Sequence, residues 1–235
     1  MNAYINLSHQ NRFIKEKVSR EGILKKIKSY GLYSRIFDFS FAVGAIILFS
    51  PILLMVSLLI KINSPRGDIF FKQKRLGLDS KLFYVYKFRT MIPNAEEKLE
   101  EMLNENPVVK TEYLKFRKLK NDPRIIPYIG NFLRKSSLDE VPQFFNVLLG
   151  NMSIVGPRPY IENEFDIYDT KLELKIISSV KPGITGYWQV IPERHETTFE
   201  SRVATDIEYI EKKNFRLDLE IIAKTLGVMA SRKGA

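Results

Sequence analysis

Between Phe39 and Ile60 the chain runs for 22 residues without a charged side chain. As a helix, such a run is long enough to cross the hydrocarbon core of a bilayer. Two features argue against a straight span. Ser50-Pro51 stands in the middle of the run, where a proline removes one backbone donor and bends a helix. Positive charge is also similar on both flanks, with Arg20, Lys25, Lys26, Lys28 and Arg35 before it and Lys61, Arg66, Lys72, Lys74 and Arg75 after it. Lysine and arginine are retained on the cytoplasmic side, so both ends are expected there. A re-entrant helix-break-helix over 35–62, broken at Ser50 and Pro51, satisfies both observations. The carbonyls freed near the proline then need a donor, such as the Ser50 hydroxyl or Arg35. A kinked spanning helix, which puts the N-terminal tail outside, is the alternative.

The flanks divide the chain into three parts. Residues 1–34 are basic, with Ile23, Leu24, Ile27 and Tyr30 at helical spacing, which fits an interfacial amphipathic segment or a partly ordered basic tail. Residues 63–235 are mixed in polarity and form the expected cytosolic domain. There, Ile69–Phe71 and Leu82–Tyr86 read as two strands around Gly77-Leu78-Asp79-Ser80. Two helices are expected over 94–119, broken near Asn106-Pro107, with another over 161–180 and an amphipathic one over 217–224. The fold class is α-rich α/β (α+β), a small sheet among helices with interfacial amphipathic segments.

Catalytic chemistry has few candidates. The chain has no cysteine and only two histidines, His9 and His195, which excludes thiolate chemistry and disfavours a histidine triad or a zinc site. A net charge of +10 predicts an anionic partner. Asp139 and Glu140 stand side by side before the apolar run Phe144–Leu149, at the start of an expected helix. Free backbone N–H groups and the positive end of the dipole gather there. Arg134 and Lys135 precede the pair, and Arg158 follows it in Gly156-Pro157-Arg158-Pro159. Carboxylates among guanidinium groups could hold a metal ion and a phosphate together. A plain capping box, Ser137 to Glu140, competes with this reading. On an extended strand, Lys87 and Arg89 point to one face and could share an anion. The glycines of Lys181-Pro182-Gly183-Ile184-Thr185-Gly186 permit close backbone approach to a ligand. Trp188 could stack on a base or sugar, lie at a membrane interface or pack in the core. Arg202 and Asp206, four residues apart in an expected helix, read as a surface ion pair.

Several words occur in a fixed order: Lys87-Phe88-Arg89-Thr90-Met91, Asn121-Asp122-Pro123-Arg124, Leu133 to Gln143, Met152 to Pro159, Lys181 to Gly186 and Trp188-Gln189. Together they resemble the bacterial sugar transferase family, the monotopic polyprenyl-phosphate phosphoglycosyl transferases, over about residues 30 to 234. The long 94–119 region looks more like the hexose-1-phosphate transferases, such as the galactose-phosphate type. The resemblance implies a membrane enzyme that moves a sugar-1-phosphate from a UDP-sugar to undecaprenyl phosphate and opens a bacterial glycan pathway. It implies Asp139 as the nucleophile and a ligand of Mg²⁺, Glu140 as the group that deprotonates or positions the polyprenyl phosphate, and Lys87, Arg89, Arg134 and Arg158 as holders of phosphate or nucleotide oxygens. Asp206 is implied as a secondary site residue. The expected location is the bacterial inner membrane, with the catalytic domain on the cytoplasmic face. The expected partners are a nucleotide-sugar donor, a polyprenyl phosphate acceptor and anionic membrane lipid, with a homodimer left open and no nucleic acid. Ile191-Pro192-Glu193-Arg194 departs from the family's Ser-Gly-Arg after Trp-Gln-Val, and this leaves the sugar unassigned. Two rivals are a non-catalytic membrane-anchored protein of the same fold and a lipid-phosphate hydrolase with the same carboxylate–metal site.

Overall fold

The computed structural model describes residues 20–116, 119–167, 171–191 and 198–230. Most of the basic N-terminal segment, residues 192–195 of the variant loop, and Arg232 and Lys233 lie outside the described residues.

Helix α1 (Arg20–Asn63) carries the apolar run and passes straight through Pro51, so the expected break does not interrupt it. The reason is local. Pro51 has no N–H to give the Ile47 carbonyl, and the Ser50 hydroxyl donates to that oxygen at 2.8 Å instead. The stretch Tyr33–Asn63 is long and apolar enough to cross a membrane, and Ile47, Leu48, Leu54, Met55, Leu58 and Ile62 are exposed along it.

The two ends of that stretch bind the same folded body. Near its start, Arg35 donates to the carbonyls of Val147 (2.5 Å) and Leu148 (2.8 Å). Asp38 accepts from the Ser153 hydroxyl (3.0 Å) and the Ile154 N–H (2.9 Å). Phe41 and Phe49 then meet the Phe144 ring at 6.3 and 6.4 Å. Towards its end, Val56 and Ile60 pack into a core with Phe88, Ile126, Ile129 and Leu133.

Strands β1 (Phe70–Leu76) and β2 (Leu82–Phe88) form an antiparallel hairpin with Phe70 opposite Phe88. Helices α2 (Ala95–Glu105) and α3 (Pro107–Phe116) divide at Asn106-Pro107 as expected, and the Asn106 side chain caps the Val108 N–H at 3.0 Å. Next come α4 (Ile129–Ser136), a 3-10 turn at Leu138–Glu140 and α5 (Gln143–Leu148). Within the helix expected over 161–180, α6 (Glu162–Ile167) and α7 (Lys171–Ile177) are helical, and residues 168–170 lie outside the described residues. Helices α8 (Phe199–Lys212) and α9 (Phe215–Ala230) close the described chain.

A second sheet, parallel, pairs β3 (Ser153–Val155) with β4 (Gly183–Thr185). Here the glycines serve backbone packing rather than a ligand. A β-carbon on Gly183 would lie 2.1 Å from the Gly156 nitrogen, so only two bare backbones fit side by side. The larger core surrounds this pair, with Val147, Met152, Ile154, Tyr160, Phe165, Ile207, Tyr209 and Ile221 buried in it.

Arg89 is drawn inward, away from the dyad. Its guanidinium donates to the Ser64 hydroxyl and carbonyl (both 2.8 Å), the Met91 carbonyl (3.2 Å) and the Asp68 carbonyl. It ties the end of α1 to the exit of β2. A lysine ammonium cannot span that set of acceptors. We expect Arg89→Lys to cost about 2–3 kcal/mol, by charge-assisted bonds lost and carbonyls left bare, and to lower the melting temperature in detergent by roughly 5–10 °C. Wild-type melting in this variant would mean that Arg89 does not tie these segments together.

Candidate active site

Asp139 and Glu140 lie in the 3-10 turn that delivers the chain from α4 into α5. Ser137, at φ 56° in the left-handed region, makes no side-chain cap hydrogen bond there, so the capping box does not form. Pro142 stands directly before Gln143, the first residue of α5, where its missing N–H costs nothing. The Asn146 side chain fixes α5 against the hairpin. It accepts from the Tyr86 N–H at 3.0 Å and donates to the Tyr84 carbonyl at 2.6 Å, completing the open edge of β2 as a neighbouring strand would. That clamp sets the dyad beside the end of β2, where Lys87 donates to Glu140 Oε1 at 2.5 Å.

Burial pushes the Asp139 carboxyl up to about 6, helped by the charge of Glu140 and opposed by Lys87 and Arg134. Arg134 itself donates from Nε to the Thr90 hydroxyl at 3.1 Å. Thus Lys87, Arg134, Asp139 and Glu140 come together as expected, while Arg89 does not join them. In Asn121–Arg124, Arg124 makes a 2.6 Å ion pair with Asp122, and, against the pull of burial, Arg134 lowers the Asp122 pKa further.

A second cluster forms around Trp188. The guanidinium carbons of Arg158 and Arg202 lie 5.8 and 4.6 Å from its ring centroid. Trp188 is buried, which favours core packing over an open platform for a base. Asp206 is fully buried in α8, not half of a surface ion pair, because that helix turns Val203, Asp206, Ile207 and Ile210 inward. Its Oδ2 accepts from the Tyr160 hydroxyl (2.8 Å) and the Arg158 N–H (3.2 Å). Burial pushes its carboxyl up to about 7 against these donors and the two arginines. Arg158 Nε, Arg202 Nε and Asp206 Oδ1 are buried with no hydrogen-bond partner among the described residues. Two guanidinium groups side by side make this cluster strongly positive, the charge that phosphate oxygens pair with.

Arg75, on β1, links the clusters and was not picked out from the sequence as a site residue. Burial and the charge of Arg158 pull its pKa down to about 10, while Glu164 and Glu140 oppose this. Its side chain bonds Gln73 and the Pro159 carbonyl. Arg75 could not be found by motif, since an alternating strand gives no sign of which base turns inward.

A magnesium ion fits the dyad by its chemistry. Two adjacent carboxylates are hard oxygen donors, and such an ion keeps several waters and takes substrate phosphates as further ligands. Among the described residues there is no group of three or more acidic, histidine or cysteine side chains to form a complete protein cage.

The family model described as bacterial sugar transferase matches residues 29–232. An exopolysaccharide production protein ExoY from Sinorhizobium fredii is 40% identical over 205 residues, covering 87% of this chain and 88% of the relative. The undecaprenyl-phosphate galactose phosphotransferase of Salmonella typhimurium is also 40% identical, over 88% of this chain and 42% of its own length. A UDP-glucose:undecaprenyl-phosphate glucose-1-phosphate transferase from Escherichia coli is again 40% identical, over 83% of this chain and 39% of its own length. The chain thus spans less than half of those two longer relatives. With nearly its whole length matched, the chain belongs to the bacterial sugar transferase family and is a sugar-transferring enzyme.

Proposed function

We propose that this protein moves a sugar-1-phosphate from a nucleoside-diphosphate sugar, a UDP-sugar, to undecaprenyl phosphate at the start of a membrane-bound glycan pathway. The observation that carries this reading is the Asp139 carboxylate, mostly buried and raised in pKa beside Glu140, with Lys87 and Arg134 on hand. A desolvated carboxylate beside two cations can attack a phosphorus centre and form a covalent intermediate. The names of the relatives support the donor and acceptor classes.

The reaction balances in two displacements. An Asp139 oxygen attacks the β-phosphorus, forming a carboxyl–phosphate bond and breaking the bond from that phosphorus to the bridging oxygen. The nucleoside monophosphate leaves with that oxygen and its electron pair. A polyprenyl phosphate oxygen, deprotonated or oriented by Glu140, then attacks the same phosphorus. Asp139 is released and a polyprenyl diphosphate sugar remains. Lys87 and Arg134 neutralise charge at the transferred phosphoryl group, and the guanidinium groups of Arg158 and Arg202 beside Trp188 take the nucleotide phosphate. Held by Asp139 and Glu140, Mg²⁺ would supply Lewis-acid neutralisation of the diphosphate.

Membrane placement follows from α1. Arg35 and Asp38 at one end, and Val56 and Ile60 at the other, bind one folded body, which supports both ends lying on one side of the bilayer, with the exposed face of the unbroken helix between them set against the lipid. The flanking lysines and arginines favour the cytoplasmic face of the cytoplasmic membrane.

Detergent-solubilised protein with Mg²⁺, undecaprenyl phosphate and a panel of radiolabelled UDP-sugars tests the reading. At least one sugar should enter the organic phase, and only when the polyprenyl phosphate is present. Sugar phosphate released to water at the same rate without acceptor would instead make the protein a hydrolase.

A further inference from the structure

The start of the apolar helix carries a second concentration of positive charge, separate from the dyad. Arg35 and Lys181 converge on Gly150, whose φ is +83°. A β-carbon at that glycine would lie 3.6 Å from Arg35 Nη2 and 3.7 Å from Lys181 Nζ, so the two cations face one another across a single residue. Arg35 spends one bond from each Nη on the last carbonyls of α5, which leaves a further N–H on each. Lys181 is half-buried and, among the described residues, makes no ion pair or hydrogen bond. Burial and the neighbouring Arg35 pull its pKa down, with Asp38 opposing them. Asp38 is the nearby carboxylate, and its Oδ1 is already committed to Ser153 and Ile154.

The surroundings of this pair are apolar and open. Leu149 and Phe145 on the α5 side and Phe39 on α1 are exposed, and the Arg35 guanidinium lies 5.8 Å from the centroid of the Phe39 ring. The cations therefore sit where the charged flank of α1 meets its uncharged run. In a membrane-inserted helix that level is the lipid headgroup region, where basic side chains pair with lipid phosphates.

We propose that Arg35 and Lys181 bind the phosphate of an anionic phospholipid headgroup, with its acyl chains against Leu149, Phe145 and the exposed face of α1. The occupant is set by complementarity: two cations facing an unfilled anion position, bordered by apolar side chains that neither a free phosphate nor a soluble nucleotide would cover. The inference rests on the membrane placement argued above and is independent of the chemistry at Asp139.

The test is thermal unfolding of the delipidated full chain in neutral detergent, titrated with a short-chain phosphatidylglycerol, the matching phosphatidylcholine or inorganic phosphate. Phosphatidylglycerol should raise the melting temperature of the wild type in a saturable way, and the other two should not. Lys181→Gln should raise the half-saturating concentration about tenfold, the loss of one charge-assisted bond. Lys181→Arg should respond as the wild type does, as should Lys110→Gln, which alters an exposed lysine on α3. If Lys181→Gln folds poorly, Lys181→Met supplies a second neutral side chain of similar length. An unchanged response in the neutral variants, or an equal rise with phosphatidylcholine, overturns the site. A full rise with inorganic phosphate alone overturns the lipid assignment. Sugar transfer measured on the same preparations separates this site from the reaction: transfer without a lipid response sinks only the site, and a lipid response without transfer sinks only the reaction.

Discussion

In Asp139→Asn, label from a UDP-sugar reaches neither the lipid nor the acid-precipitated protein, and transfer falls at least about a thousandfold, as expected when a covalent nucleophile is removed. Wild type without acceptor should retain labelled sugar phosphate on the protein. Transfer by the variant within tenfold of wild type would remove Asp139 from the nucleophile role. The same substitution should also stabilise the fold. Because the folded pKa of about 6 exceeds the ordinary 3.8, the folded chain holds this proton more tightly than the unfolded one does. Stability attached to Asp139 is therefore full below about pH 4 and lost as pH rises through about 6. Asparagine never ionises, so the variant avoids that loss. At about 1.4 kcal/mol per unit, the shift sets an upper limit of about 3 kcal/mol. In divalent-free buffer at pH 7.5, Asp139→Asn should melt several degrees above wild type, with the difference closing towards pH 4. Equal melting at both pH values would deny the strained carboxylate. Transfer by wild type should fall on acidification through about pH 6, as the nucleophile takes up its proton.

Gly183→Ala carries the largest expected loss of stability. The added methyl group meets the Gly156 nitrogen at 2.1 Å, and neither backbone can rotate away as a side chain would. Separating them breaks the Gly156 N–H bond to Thr185 and the Gly183 N–H bond to Pro157, both 2.9 Å. The cost should reach or pass the usual ~3 kcal/mol upper range for overpacking, leaving little folded protein after extraction. Because Pro157 and Arg158 move with Gly156, any folded remainder should also show a raised donor KM. A variant with wild-type melting and KM would mean that β3 and β4 do not pair as described.

The strongest local signals were readable in the sequence. The apolar run, the hairpin around Gly77–Ser80, the helix division at Asn106-Pro107 and the closeness of Arg134 to the dyad all follow from short-range patterns, whereas Lys87, 53 residues from Glu140 in the chain, was brought to the dyad only by the family resemblance. What escaped was long-range. Nothing in Lys87-Phe88-Arg89 says that the first base turns to Glu140 and the second to Ser64, because the end of α1 that claims Arg89 lies 25 residues away. Arg202 and Asp206 have the spacing of a surface pair, and only the packing of α8 on the core reveals that Asp206 serves Tyr160 and Arg158. Pro51 signalled a break, but the hydroxyl of its own neighbour mends the helix at that point.

The bond between Asp206 and the Arg158 backbone has a consequence for biosynthesis. Asp206 leaves the ribosome roughly 140 residues after α1 ends at Asn63, on the order of 10 s later at usual synthesis rates of about 5–20 residues per second. The anchor is therefore available to the membrane well before the Gly-Pro-Arg-Pro turn can be pinned in place. The apolar helix is thus complete on the ribosome before the turn that carries Arg158 can reach its folded form, so engagement of a membrane can precede completion of the second basic cluster.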